Sequence, residues 1–518
     1  MQYYEYVEAN GVHFFIVVCL PDNLKQAPTF IMRTPYNVYS EEMTDEEVAQ
    51  KIEKDRKHFL DAGYAFVYQH CRGKGRSDGT FVPYLYERED GLALQEWVRK
   101  QPFYNGEIFL GGGSYNSAVH LATAPFAKDI KGVVIEVMDS DRYNPSYRNG
   151  FYKSGLQGWW YAQVYKNKKS VQKNYVPESF NMMPLSDFSL TVFGERAENF
   201  DEILRHPDKN DAFWNTKAGC AEYRGALDHA NIPVLLVTGF YDIFVGGIFE
   251  MWKNMDASTR AKSAFVVHPY NHDCKPESSP VRFENASLSE KFGNHYLRWI
   301  EFVRGKEASP VDLGKVTYYS LFGNTWATDD FSEGEKSQSF TLGKGEKSYV
   351  YNPYSPASFK GGLSCNFGGT DWQDAPNSRY DIISVYTPEF TEDTLIKGKI
   401  KANLKVRSTA EDTCFYMRLS LVKPEGDYGL RDDINQISNF TQSYTPGSEM
   451  DMYFEFDPLA VVVKKGEKIR MDISSSAFPH YVAHKNKKGL FSEHTTATVA
   501  TNTVVLDLST ITFPISDI

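Results

Sequence analysis

A serine becomes a nucleophile when a base takes its proton, and the base works when a carboxylate holds its ring. The stretch IFLGGGSYNSAVHLATA (108–124) runs three apolar residues into Gly111, Gly112, Gly113 and Ser114, then continues at helical spacing. Small neighbours let a tight strand-to-helix turn carry such a serine with its hydroxyl exposed. A glycine-rich turn of this kind also binds phosphate, or simply turns the chain. Two later apolar runs end in the groups the serine would need. VLLVTGFYDIF places Asp242 just past one, and AFVVHPYNHDC places His272 just past the next. Asp242 has a second reading as the cap of the helix that follows it, and His268 and His272 have one as loop or metal-binding histidines. Pro269 interrupts the His-x-x-x-His spacing, and no H-E-x-x-H glutamate accompanies it, so neither a metal nor another cofactor is expected.

Side chains so far apart in sequence meet only if a sheet brings its strand ends together. The first third alternates short apolar runs, such as APTFIMRTPYN (27–37) and GYAFVYQHCRG (63–73), with segments at helical spacing, which implies a mostly parallel sheet. The pattern continues through IKGVVIEVMDS (130–140), stops for about ninety residues, and resumes at IPVLLVTGFYD (232–242). The interruption is rich in Tyr, Trp, Asn and Lys, and reads as a mainly helical cap. SEKFGNHYLRWIEFVRGK (289–306) reads as one amphipathic helix closing the α/β unit. Beyond about residue 315 short alternating strands begin. In LIKGKIKANLKVR (395–407), Ile396, Ile400, Ala402, Leu404 and Val406 share one face, as in a β-sandwich, here a jelly roll. The expected division is an α/β core at 1–140 and 231–310, a cap at 141–230, and an all-β jelly roll at 311–518.

A net charge of -11 argues against nucleic acid or an anionic membrane as partner, since both need clustered cations. The basic runs KNKK (166–169) and HKNKK (484–488) read as solvated loops. No stretch reaches the ~18 apolar residues of a membrane span, and the N-terminus lacks a basic signal region. The six cysteines form no C-x-x-C pair, so a reducing cytoplasm is the expected compartment. Whether the chain forms a homo-oligomer stays open.

The ordered set MRTPYN (32–37), GYAFVYQHCRGKGRSDGTF (63–81), EREDGLALQEWVRKQPFYNG (87–106), GGSY, HPDKNDAFW (206–214), GFYDIF (239–244), HPYNH (268–272) and SSSAFPHYVAHKN (474–486) resembles the family of cocaine esterase, X-prolyl dipeptidyl-peptidases and α-amino acid ester hydrolases. The resemblance covers nearly the whole chain. It implies an α/β-hydrolase core with an inserted helical cap and a C-terminal jelly roll. It also implies that Ser114 is the nucleophile, His272 the general base and then acid, and Asp242 the group holding the imidazole. The family's oxyanion hole maps onto the backbone N–H of Tyr115 and the phenol of Tyr36.

Two departures stand out: Asn116 and Ser117 occupy places where glycine is common, and Gln69–His70–Cys71 replaces the usual Q-D-x before Arg72. In the amino-acid ester hydrolases of this family a carboxylate pair follows the catalytic aspartate and holds the substrate's α-ammonium; those places hold Phe244 and Val245 here. The acyl group is therefore expected to be uncharged, and Phe244, which matches an aromatic pocket position in the family, is expected to contact substrate, with core packing its other reading. Trp159 and Trp160 in GFYKSGLQGWWYAQ (150–163) point about 100° apart on a helix, so at most one faces the cleft. The expected activity is hydrolysis of an ester or amide of a small molecule or short peptide through an acyl-enzyme. The alternatives are an X-Pro dipeptidyl-peptidase, an α-amino acid ester hydrolase and a non-catalytic binding protein.

Overall fold

The structure is a computed structural model that describes residues 1–22, 24–126, 129–164, 176–363 and 369–518. The KNKK run and Cys365 lie outside the described residues. Ten strands form the larger sheet: β1 (Gln2–Ala9), β2 (Val12–Cys19), β3 (Ala27–Thr34), β4 (Ala65–His70), β5 (Tyr104–Gly113), β6 (Ile130–Glu136), β7 (Val234–Tyr241), β8 (Ala264–Asn271), β9 (Val316–Ser320) and β10 (Thr325–Asp329). Their spatial order is β1-β2-β4-β3-β5-β6-β7-β8-β9-β10. From β4 to β9 neighbours run parallel, and β1, β2 and β10 are antiparallel additions at the two ends. β4, β7 and β8 are buried on both faces along their whole length, which is why they read as continuous apolar runs.

Helices cover both faces. α1 (Asp45–Asp55) starts at a capping box in which Thr44 and Glu47 satisfy each other's backbone N–H groups. α2 (Glu87–Arg99), α3 (Tyr115–Leu121), α4 (Val245–Asn254) and α5 (His295–Val303) follow β4, β5, β7 and β8 in the chain. The single helix expected over 289–306 is two. Leu288–Phe292 ends at Gly293, whose φ of +64° lies outside the helical range, and Asn294 caps α5 through the N–H of Leu297.

The segment between β6 and β7 holds short helices, at Trp159–Val164 and Glu198–Arg205 among others, and one small hairpin, Tyr147–Arg148 with Phe151–Tyr152. The change of character near residue 315 does not end the larger sheet. β9 adds to β8 in parallel and β10 turns back on β9, so two strands expected in the sandwich extend the α/β sheet instead.

The remaining strands form a seven-stranded and a four-stranded antiparallel sheet. Ala500–Ser516 is the spine of the larger of these, pairing with four other strands. The 395–407 run is two strands, Thr394–Gly398 and Lys401–Ser408, and its five apolar residues are all buried as the alternation requires.

Candidate active site

Ser114 caps the turn between β5 and α3 with φ 57° and ψ −130°. Its N–H donates to the Glu136 carbonyl at 2.9 Å, and its carbonyl accepts from Ser117 and Ala118 at 2.8 and 3.2 Å. Those bonds hold a backbone conformation that non-glycine residues seldom adopt. A Cβ at Gly112 would stand 2.5 Å from the Asn116 Cβ, so the strand passes the first helical turn only as glycine. Ser117, in the second unusual place, turns its hydroxyl inward. It donates to the Gly112 carbonyl and accepts from the Glu136 N–H, tying β5 to β6 beneath the serine.

The strand ends bring three side chains together. His272 Nε2 lies 2.9 Å from Ser114 Oγ, and its Nδ1 lies 2.8 Å from Asp242 Oδ1. Asp242 is fully buried, while His272 keeps part of its ring open to solvent. The second oxygen of Asp242 accepts from the Thr238 hydroxyl at 2.6 Å, so both carboxylate oxygens are used. Asp242 is thus not the side-chain cap of α4, whose N-cap position is Phe244. His268 points elsewhere: its Nδ1 accepts the Tyr270 N–H at 3.1 Å, and burial pulls it down to about 4. Among the described residues no group of three or more His, Cys, Asp or Glu is arranged to hold a metal ion.

The Tyr36 hydroxyl stands 3.4 Å from Ser114 Oγ on the loop after β3. Trp160 donates its indole N–H to that phenol at 3.4 Å, which makes it the tryptophan of the pair that faces the site. Tyr115 is the first residue of α3, so its N–H has no acceptor within the helix. Its ring stacks on Trp160 with centroids 5.4 Å apart, and its hydroxyl donates to Glu87 at 2.9 Å. Glu87 pairs with the buried Arg33 at 3.0 Å, and Arg33 Nε donates to Gln69 at 2.7 Å. Burial raises the Glu87 carboxyl and Arg33 opposes the rise. Phe244 is buried, its ring centroid 5.6 Å from that of His272.

The family model described as X-Pro dipeptidyl-peptidase (S15 family) matches residues 10–273. The chain belongs to this family. A second model, the X-Pro dipeptidyl-peptidase C-terminal non-catalytic domain, matches residues 311–509. Cocaine esterase from Rhodococcus sp. (strain MB1 Bresler) is 24% identical over 540 residues, covering 93% of this chain and 92% of the relative. Two solved structures share the fold end to end. One is an aminopeptidase from the marine sediment archaeon Thaumarchaeota archaeon, with TM-score 0.83 and 18% identity over 100% of this chain and 96% of that one. The other is an α-amino acid ester hydrolase, with TM-score 0.80 and 17% identity over 99% and 96%. This S15-family chain is a serine hydrolase with an α/β-hydrolase core and a C-terminal all-β domain.

Thr238 and Glu87 are residues of the site that spacing alone does not reveal. Thr238 reaches Asp242 because the backbone turns at Gly239, where the Asp242 N–H donates back to the Gly239 carbonyl at 3.0 Å. A threonine four residues before a candidate acid, at a strand end, is the only sequence signal for it. Nothing local marks Glu87, which reaches Tyr115 from another helix.

Proposed function

We propose that the protein hydrolyses an ester or amide of a small molecule or short peptide through an acyl-enzyme on Ser114. The observation that carries this reading is the unbroken hydrogen-bonded series from Thr238 through Asp242 and His272 to Ser114. His272 takes the hydroxyl proton on Nε2 as Oγ adds to the acyl carbon. Asp242 accepts from Nδ1–H, which keeps Nε2 the basic nitrogen and stabilises the imidazolium. The oxyanion develops between the Tyr36 phenol and the Tyr115 N–H, and Trp160 holds that phenol in place. The imidazolium then passes its proton to the leaving group, and water repeats the sequence to release the acid.

Phe244 beside the His272 ring, followed by Val245, supports an uncharged acyl group, since neither position carries a carboxylate to meet an α-ammonium. Removal of X-Pro dipeptides is the second reading, favoured by the family match over residues 10–273. The inserted segment, 141–230, acts as a cap in this account, with Trp160 its contribution to the site. Among the described residues the five cysteines are free thiols, which supports a reducing cytoplasm as the compartment, and no helix there is long and apolar enough to cross a membrane.

A fluorophosphonate probe should label the wild-type protein and leave Ser114→Ala unlabelled. Turnover of aryl esters and acyl anilides should vanish with the same substitution. Folded protein that resists the probe, or a Ser114→Ala variant that keeps its hydrolysis, would sink the reading. Faster turnover of an Ala-Pro anilide than of aryl esters would select the dipeptidyl-peptidase instead.

A further inference from the structure

A cavity of about 410 Å³ opens where the inserted segment, the start of α4 and the β-sandwich meet. Neither Ser114 nor His272 lines it. Most of its charges are already matched. Arg148 pairs with Asp433 at 2.7 Å and with Asp457 at 2.9 Å, and Lys399 pairs with Glu455 at 2.8 Å.

Among the described charged residues on the wall Lys209, Glu250 and Lys153 lack a partner; the first two are exposed, and Lys153 alone of the three is partly buried. Among the described residues no acceptor lies within hydrogen-bond or ion-pair distance of its ammonium, although it stands on the cavity wall. Its backbone is tightly held. The Lys153 N–H donates to Ser146 at 2.8 Å, and its carbonyl accepts from Leu156 and Gln157 at 3.1 and 2.8 Å. On either side, Val482 donates to the Tyr152 carbonyl and Gly155 to that of His480, which pins the segment to the sandwich.

A lone ammonium fixed in a partly dry site is stabilised by an anion that enters it. Burial pulls this ammonium down to about 8, against the attraction of Asp457. Asp139, also on the wall, is pushed up to about 8 by burial, so at neutral pH it is mostly uncharged and does not serve as the counter-ion.

We propose that this cavity binds a small monocarboxylate, its carboxylate on Lys153 Nζ and its body against Tyr147 and Phe454. A single negative charge fits the site. A phosphate dianion would bring a second charge up to Asp433, Asp457 and Glu455, all on the same walls. The ligand is either the acid released by the protein's own hydrolysis or an unrelated free carboxylate.

Calorimetric titration of the full chain with acetate and benzoate, with inorganic phosphate alongside, tests the proposal. Saturable binding of at least one carboxylate by both wild-type and Ser114→Ala protein is expected. Lys153→Met should weaken it by about tenfold or more, the loss of one charge-assisted contact. Lys153→Gln is the companion variant if methionine disturbs folding, and Lys153→Arg should keep binding within a few-fold. Once a substrate is known, its product acid binding more tightly than acetate and benzoate marks a product site, and equal affinities mark a site for free carboxylates; both support the proposal. Absence of saturable binding, unchanged affinity in the Lys153→Met and Lys153→Gln variants, preference for phosphate, or loss of binding in Ser114→Ala overturns it.

Discussion

Tyr36 is the residue whose role depends most on its neighbours. Its hydroxyl stands between the Trp160 indole N–H and Ser114 Oγ, 3.4 Å from each. In the contact with Ser114 either hydroxyl can be the donor. With the phenol as the proposed oxyanion donor, Tyr36→Phe should lower kcat by about 100-fold or more while KM changes little, since such a donor acts on the oxyanion rather than on the bound substrate. Steady-state kinetics checks this, with circular dichroism to show an intact fold. A variant with wild-type kcat would remove Tyr36 from the site. Ser114, Asp242 and His272 could be picked out of the sequence because each follows an apolar run, in the chain order that an α/β-hydrolase fold uses. Thr238 and Trp160 could not, since the first depends on a turn and the second on how the inserted segment lies over the sheet.

At the scale of elements, the elbow explains its own unusual residues. Asn116 and Ser117 are accommodated because Gly112 passes under the first and the hydroxyl of the second bonds to β5 and β6. Gly112→Ala would press a methyl group against the Asn116 Cβ at 2.5 Å with helix backbone behind it. The expected cost is about 1–3 kcal/mol of stability, together with a fall in kcat as Ser114 shifts from His272. Urea unfolding and kinetics on the same sample would reveal a tolerated substitution instead. The replacement of the usual Q-D-x by Gln69–His70–Cys71 has a structural account as well. His70 packs under the following loop, where a Cβ on Gly75 would meet its ring at 2.3 Å, and Gln69 anchors Arg33. Both expected elements that proved to be pairs, 289–306 and 395–407, contain a glycine at positive φ, Gly293 and Gly398. Periodicity runs through such a break because the apolar residues on either side still face the core.

For the whole molecule, buried histidines set the response to acid. His70, His268 and His480 are pulled down to about 4 and His120 to about 3, in each case chiefly by burial. In the unfolded chain they would take up protons near 6.5. Between those values the unfolded state holds more protons, so stability rises with pH through the window and falls as pH is lowered. Asp139, pushed up to about 8, acts in the opposite sense because it stays protonated when folded and ionises when unfolded. Burial also raises the Glu87, Asp201, Asp228, Asp433 and Asp472 carboxyls, but by less than Asp139, and it lowers His58 and His494, so the histidines set the sign. The urea midpoint should fall between pH 6.5 and pH 5, above the ordinary carboxylate range, with each histidine contributing about 1.4 kcal/mol per pH unit. A midpoint that holds or rises over this interval would contradict the assignment.

Local sequence was enough to determine the strands that are buried on both faces, the glycine-flanked serine at the end of β5, and the change to alternating strands in the last third. Burial writes those features directly into residue type and period. Only the tertiary structure decided that β9 and β10 extend the larger sheet, that Trp160 rather than Trp159 reaches Tyr36, and that Glu87 supports Tyr115. It also decided that Lys153 faces a cavity without a partner. Each of these is a contact between segments far apart in the chain, and no local period or motif carries the geometry of such a meeting.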